Sequence, residues 1–469
     1  MRNYVFLSPF ALFLTLLLPT TSLAHGHYSD QHWYEPRNQQ GNTRTVPSLV
    51  IDTFHDPTHN DLGFWHGAGE DLVMEYQPGS MRLSPTDPDQ NFHTQFQTNG
   101  CFSLMPWRDQ VLHVEFEGTD QFTVSLNEHN ADCNPRRAPF PGVPDSVQAS
   151  RYTMRTEGSG QGGIEHEDHV VGRKKQKAKD HCGNEDEEAP PAALPKKELF
   201  IPLNHFRINH DHVVSVSFTG FYTKEPVTLH RVEIVPTIPP PTVENNHFKI
   251  PEKLPTGELV LRCSRSNSFA FGIDDGSPRF AQDVMRILDE ENVRVTFFAV
   301  GAGLRDTTTN LTSFYLEMLA KGHQVALHSN THPKMEALPT IDKIDDEIIQ
   351  SQRTLKEQLA IESSYFRPPF GTVGARMRQQ LAKYIPNARI INWSVDVEDW
   401  LWADSPTPEK QLEAFFRSVS RGGNLAVMHF LHPTTVAYLP QFIQHVKAAG
   451  LQIMRVDQCM EDPNSPPLV

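Results

Sequence analysis

The stretch Ser268-Phe-Ala-Phe-Gly-Ile-Asp-Asp-Gly-Ser277 is an apolar run that ends in two adjacent carboxylates and a glycine. It reads as a buried strand, followed by a turn at Gly276 and a helix over roughly 277–291. Beyond it, strand-like runs at 294–299, 324–327, 389–393, 424–428 and 451–455 alternate with helical patterns at 341–359, 376–384, 408–419 and 436–449. Repeated strand-helix units predict a parallel sheet, and over this length a closed or partly closed barrel. In such folds the loops at the strand C-termini converge on one site. Asp274 and Asp275 stand at such an end, and neighbouring residues of a strand point to opposite sides, so the two carboxylates are expected to do different work.

The later strand ends supply matching groups. His328-Ser-Asn-Thr-His332 can present two imidazoles to one cation, and with Asp275 they form a two-nitrogen, one-oxygen set with a position left for water. In Arg367-Pro-Pro-Phe-Gly371 the prolines that follow fix a guanidinium, which near the double Asp would hold one of the carboxylates ionised. Ser394-Val-Asp-Val-Glu-Asp-Trp400 adds Asp399, which could orient that arginine, and Leu425-Ala-Val-Met-His429 delivers an imidazole suited to general acid work. His323 and His432 read as structural or solvent-facing.

Upstream the grammar differs. Short alternating runs at 48–52, 111–116, 122–126, 213–218 and 229–235, separated by turn residues, predict a β-sandwich over 47–235. Residues 63–67 and 91–96 mix aromatic and polar side chains, which can hold sugar rings or fill the sandwich core. Residues 156–198 run from Gly-rich to basic to acidic to Pro-Ala-rich, which reads as a disordered insert. A Pro-rich linker follows at 236–256, then the catalytic region at 257–462 and a tail at 463–469.

At the amino terminus, Arg2, the apolar run 5–18 and Ser22-Leu-Ala24 read as a secretory signal peptide over 1–24, followed by a flexible stretch 25–46. The expected product is secreted, extracellular or wall-associated. A net charge of −15 argues against nucleic-acid and anionic-membrane partners. The five cysteines fit an oxidising compartment. Cys101 with Cys133 and Cys263 with Cys459 are the disulfide candidates, leaving Cys182 unpaired. Asn310-Leu-Thr312 is a glycosylation candidate ahead of a surface helix.

Asp-Asp-Gly, His-Ser-x-x-His, Arg-x-Pro-Phe-Gly, Asp-x-x-Asp-Trp and Leu-x-x-x-His resemble, in order, the five motifs of polysaccharide deacetylases with the NodB-homology domain, carbohydrate esterase family 4. The resemblance spans Cys263 to about Cys459. It implies a distorted (β/α) barrel with seven strands, with Asp274 as catalytic base and His429 as catalytic acid. It further implies Asp275, His328 and His332 as ligands of one divalent metal, Zn2+ or else Co2+, with Arg367 and Asp399 orienting the machinery. Phe370 and Trp400 would meet a polysaccharide substrate, an N-acetylated glycan such as chitin. The amino-terminal half is similar to the galactose-binding or jelly-roll type of sandwich found beside such domains in secreted fungal deacetylases. Gly272-Ile273 stands where the family has Thr-Phe, Phe370 where tyrosine is commoner, and Phe430 where many members are acidic. Two other functions use the same residues: an esterase removing O-acetyl groups, and a carbohydrate-binding wall protein with an idle barrel. No Gly-x-Ser-x-Gly or His-Glu-x-x-His occurs, which excludes those serine and zinc hydrolase signatures.

Overall fold

The computed structural model describes residues 46–97, 100–138, 144–154, 195–238 and 248–468. The expected signal peptide, the flexible amino-terminal stretch, most of the charged insert and Cys182 lie outside the described residues.

The amino-terminal half is a sandwich of two antiparallel sheets. The seven-stranded sheet runs in the order Val73–Gln77, Ser80–Ser84, Val227–Val235, Val111–Gly118, Lys197–Pro202 and Thr153–Met154, with Leu49–Asp52 also paired to Val227–Val235. The five-stranded sheet runs His66–Gly69, Asn91–Gln95, Val213–Thr219, Thr123–Glu128 and Pro144–Gln148. Alternation puts Val114, Phe116, Leu199, Ile201, Val232 and Ile234 of the first sheet against Phe92, Val124, Leu126, Val216 and Phe218 of the second, and these form one apolar core. The runs at 48–52, 111–116, 122–126, 213–218 and 229–235 were legible as strands; Ser80–Ser84, Asn91–Gln95 and His66–Gly69, the last with only one large side chain, were not.

Two boundaries move. The strand Lys197–Pro202 takes in 197 and 198, expected in the insert, because Leu199 and Ile201 bury into the core and their strand pairs in register with Val111–Phe116. The second half of the expected linker is fastened to the sandwich. Phe248 packs on Phe200, Ile250 on the core, and Lys253 forms a largely buried ion pair with Asp145.

The carboxy-terminal half is a curled, wholly parallel sheet of nine strands. Its order is Glu258–Val260, Arg389–Ile391, Tyr365–Phe366, Gln324–Leu327, Thr296–Ala299, Ser268–Asp274, Leu425–His429 and Val395–Asp396, with Gln452–Ile453 beside the start of Ser268–Asp274. The stretch 389–396 pairs with Tyr365–Phe366 at one end and with Leu425–His429 at the other, which brings the two sides of the curl together. Every residue of Ser268–Asp274 is buried, as its unbroken apolar run requires. Helices Ala281–Glu290, Leu311–Ala320, Ile341–Leu359, Ala375–Tyr384, Lys410–Ser420 and Pro433–Ala448 cover the sheet. Both expected disulfides are present, Cys101–Cys133 and Cys263–Cys459.

Candidate active site

The central strand delivers Asp274 into the interior, 2% exposed, and the chain then turns sharply. Asp275 takes a left-handed conformation at φ 58, and its carbonyl accepts from the Tyr315 hydroxyl at 2.5 Å. The strand end thus sends the two carboxylates different ways. At Gly276 an added Cβ would collide with Phe430, a buried residue that packs on Phe297. Phe430 therefore supports the turn from below.

The turn after Gln324–Leu327 is tightly coiled, with Ser329 and His332 both at positive φ and His332 N–H donating to Ser329 Oγ at 2.9 Å. Glu347, from helix Ile341–Leu359, accepts from the backbone N–H groups of Asn330 and Thr331, each at 2.8 Å, and from the Thr331 hydroxyl. Sequence reasoning missed Glu347, because a Glu on an amphipathic helix carries no sign of the turn it fastens. His328 is buried, and its Nδ1 lies 2.7 Å from the Arg367 carbonyl oxygen. That contact leaves Nε2 to face Asp275 Oδ1 at 3.6 Å, with His332 Nε2 at 3.5 Å from the same oxygen. Ligand atoms of Asp275, His328 and His332 all fall within 4.8 Å of one another.

This set fits a divalent metal. It offers two imidazole nitrogens and one carboxylate oxygen on a common space, and the second nitrogen of His328 is anchored by a carbonyl in the way that orients metal-bound histidines. Burial pushes the His328 imidazole down to about 3, so the ring is neutral. The other described cluster of this kind, Cys101, Cys133 and His212, has its sulfurs committed to a disulfide.

Arg367 is fully buried and threads through the curl of the sheet. Its Nη1 donates to Asp274 Oδ1 at 2.7 Å, Nε to the Ile391 carbonyl at 2.9 Å, and Nη2 to the carbonyls of Ala426 at 3.3 Å and Asn392 at 3.5 Å. It therefore caps carbonyls where the ladder breaks between Ile391 and Val395, and it stacks over Phe298 at 4.2 Å. Gly272 is explained by this arginine: a Cβ there would lie 2.3 Å from both Nη atoms. Burial raises the Asp274 carboxyl, against the opposing pull of Arg367 and the nearby imidazoles.

Asp399 corrects one expectation. It does not orient Arg367; its Oδ2 accepts from the His429 backbone N–H at 2.7 Å and its Oδ1 lies 2.9 Å from His429 Nδ1. The reason is topological: Val395–Asp396 pairs with Leu425–His429, so the loop after one meets the end of the other. Burial alone would lower the His429 pKa, but Asp399 outweighs it and the imidazole is pushed up to about 10. Beside them Asp396 is half-buried and accepts from Glu398 N–H at 2.7 Å; desolvation lifts its carboxyl to about 7.

Around this centre Phe370 is 57% exposed and Trp400 40% exposed. Phe370 sits at φ 61, and its ring centroid is 4.8 Å from that of His332. Asn310 is exposed just ahead of helix Leu311–Ala320. His323 is a core residue whose Nδ1 accepts from Val295 N–H at 3.1 Å. In the sandwich, Phe92 and Phe96 fill the core while Trp65 stays 40% exposed.

Residues 262–385 match the family model described as polysaccharide deacetylase. The match takes in Asp274, Asp275, His328, His332 and Arg367 and ends before Asp399 and His429. The peptidoglycan-N-acetylglucosamine deacetylase PgdA of Listeria monocytogenes is 28% identical over 211 residues, which is 45% of this chain and 41% of that protein. The chitin deacetylase of Pestalotiopsis sp. is 28% identical over 213 residues, 45% of this chain and 70% of that protein. Among solved structures, the chitin deacetylase from the fungal pathogen Colletotrichum lindemuthianum aligns with 23% identity and a TM-score of 0.41, covering 45% of this chain and 95% of that one. No helix among the described residues is long and apolar enough to cross a membrane.

Proposed function

We propose that the chain is a secreted, metal-dependent deacetylase that removes N-acetyl groups from a polysaccharide, with chitin or a related N-acetylglucosamine polymer as substrate. The observation that carries this reading is the joint placement of three parts: the Asp275, His328 and His332 triangle, the Asp274–Arg367 pair, and the His429–Asp399 pair.

A divalent ion held by Asp275, His328 and His332, with Zn2+ or Co2+ as the expected species, would supply Lewis-acid polarisation of water and of the acetamide carbonyl. The residues of the chain do the rest. Arg367 engages Asp274 Oδ1 and leaves Oδ2, which faces the His328 Nε2 side at 3.8 Å, to take a proton from attacking water. His429, with Nδ1 held by Asp399, keeps Nε2 to deliver a proton to the departing amine nitrogen as the carbon–nitrogen bond breaks. Water has then added to the acetyl carbon, acetate leaves, and the sugar keeps a free amine. Phe370 and Trp400 would form apolar walls for the pyranose ring. The sandwich, read as a galactose-binding-type module, would meet the same polymer.

The test is acetate release from chitin oligomers by the full chain with zinc or cobalt added, beside Asp274→Asn and His332→Ala. Release by the parent, lost in both variants, with a new primary amine on the product, is the expected result. Release only from O-acetylated glycans would move the activity to an esterase, and metal binding without any release would leave a glycan-binding protein.

A further inference from the structure

The turn that carries His332 is fastened from outside its own half of the molecule. Lys334 extends to the sandwich, where its ammonium lies 2.8 Å from each Asp87 carboxylate oxygen and 2.7 Å from Asp89 Oδ2. All three side chains are partly buried, Lys334 at 18%, Asp87 at 31% and Asp89 at 20% exposure. The loop that offers the carboxylates is itself ordered: Asp89 N–H donates to Asp87 Oδ1 at 3.0 Å, and Gln90 Oε1 accepts from Thr86 N–H at 2.7 Å. The same ammonium stands 5.7 Å from the centre of the Phe370 ring, the ring that meets His332.

Phe370 needs holding. An exposed aromatic residue at positive φ is strained, and such a conformation persists only where its surroundings impose it. The cation beside its face and the imidazole against its ring are those surroundings, and the cation is placed by two carboxylates of the sandwich. A second tie reaches the same region, since Ala375 N–H, five residues past Phe370, donates to Thr123 Oγ1 of the sandwich at 3.1 Å.

We propose that Asp87 and Asp89 are positioning residues of the active site: through Lys334 the amino-terminal sandwich sets where His332 and Phe370 stand. This rests on the ligand role given to His332 under the proposed function. The sandwich is then a working wall of the cleft, and loosening it should be felt by both metal and glycan while the fold stays intact, because Arg378 and Thr123 still join the two halves.

The experiment uses the full chain with Lys334→Met, Lys334→Arg and the pair Asp87→Asn with Asp89→Asn. Cobalt(II) is titrated by its visible absorption, and kcat and KM are measured on N-acetylglucosamine oligomers. Lys334→Met and the double Asn variant should weaken cobalt binding by about tenfold, the lower end for residues that orient metal ligands. Both should raise KM more than they lower kcat, and Lys334→Arg should restore most of each. Unchanged cobalt affinity, spectrum and KM in both variants, with native far-UV circular dichroism, would overturn the proposal and leave the contact an interdomain strut. A parent that binds cobalt but releases no acetate would sink the proposed activity, while the cobalt titrations still decide the clamp. If Lys334→Met does not fold, the single Asp89→Asn variant decides by the same cobalt readout.

Discussion

Replacing Gly272 by alanine adds one methyl group at the most crowded point of the active centre. The new Cβ would lie 2.3 Å from Nη1 and Nη2 of Arg367 and 2.6 Å from Cζ, so relief needs roughly 1 Å of movement to restore ordinary contact. The strand cannot easily supply it, being paired with Thr296–Ala299 on one side and Leu425–His429 on the other. The guanidinium would have to move, and it is held by Asp274, three carbonyls and the Phe298 ring. Its withdrawal leaves Asp274 as a buried carboxylate without its partner, a loss of about 3–5 kcal/mol. Even if the strand yields instead, overpacking costs about 1–3 kcal/mol. At about 3 kcal/mol the fall in Tm is roughly 6–12 °C for a unit of this size. Thermal unfolding by circular dichroism and acetate release, measured together, check it. Gly303→Ala is the control, since its Cβ would meet only Leu311 Cδ1 at 3.5 Å, and it should be neutral. A Gly272→Ala protein that melts with the parent and keeps its activity would refute this account of why glycine stands there.

Asp399→Asn should lower kcat by about 10²–10⁴. It should also move the alkaline limb of the pH profile from near 10 toward the ordinary 6.5, since His429 acts as an acid only while protonated; a limb that stays put refutes the pairing. Glu336 is fully buried and desolvated, so its carboxyl is pushed up to about 7 despite Arg376 and the N–H groups of Arg376 and Met377, with Tyr222 also close. A raised carboxyl means that the folded chain holds a proton the unfolded chain has released, so stability is full below 4.5 and falls by about 3 kcal/mol as pH rises to 7. Glu336→Gln should remove this share, so that stability read from urea denaturation changes less unfavourably between pH 5 and pH 8 than in the parent. Cys263→Ser with Cys459→Ser opens a link across 196 residues and should cost at most about 5 kcal/mol, read from urea denaturation.

The sequence made the parallel sheet legible because buried strands are unbroken apolar runs and their ends carried unusual polar residues. It also named the residues that meet at the centre, since each sits at a strand end where side chains must converge. It could not say which partner each would take. Asp399 was matched with Arg367 because opposite charges attract, yet strand order brings Asp399 to His429 and gives Arg367 to Asp274. Gly272 stands in the sequence only as a departure from Thr-Phe, and the reason for it, Arg367 filling the space, shows only in the structure. Glu347 and Lys334 were illegible because nothing in their own stretches marks the partners they take, a turn on the preceding loop for Glu347 and a sandwich loop far along the chain for Lys334.

The docking of the two halves was hidden by a different ambiguity. The outward residues of the five-stranded sheet are Ser125, Asn127, Ser146, Ser215 and Ser217, which in a sequence read as a solvated face. They are nearly fully buried and bonded to one another, with Ser125 and Ser146 at 2.9 Å and Asn127 donating to Ser215 at 2.8 Å and Ser217 at 3.0 Å. Against this half lies helix Ala375–Tyr384, in which Arg376, Arg378, Gln379 and Gln380 are buried alongside Met377 and Leu381. Arg378 donates to the Pro144 carbonyl at 2.9 Å and pairs with Asp145. An interface of this composition gains little from apolar burial and much from satisfying every donor, so it favours one orientation of the two halves over sliding alternatives. Separating them would strip the buried Arg378 of the Pro144 carbonyl and of Asp145, both of which belong to the other half. The candidate site residues therefore stand on a sheet whose covering helix is itself covered by the sandwich.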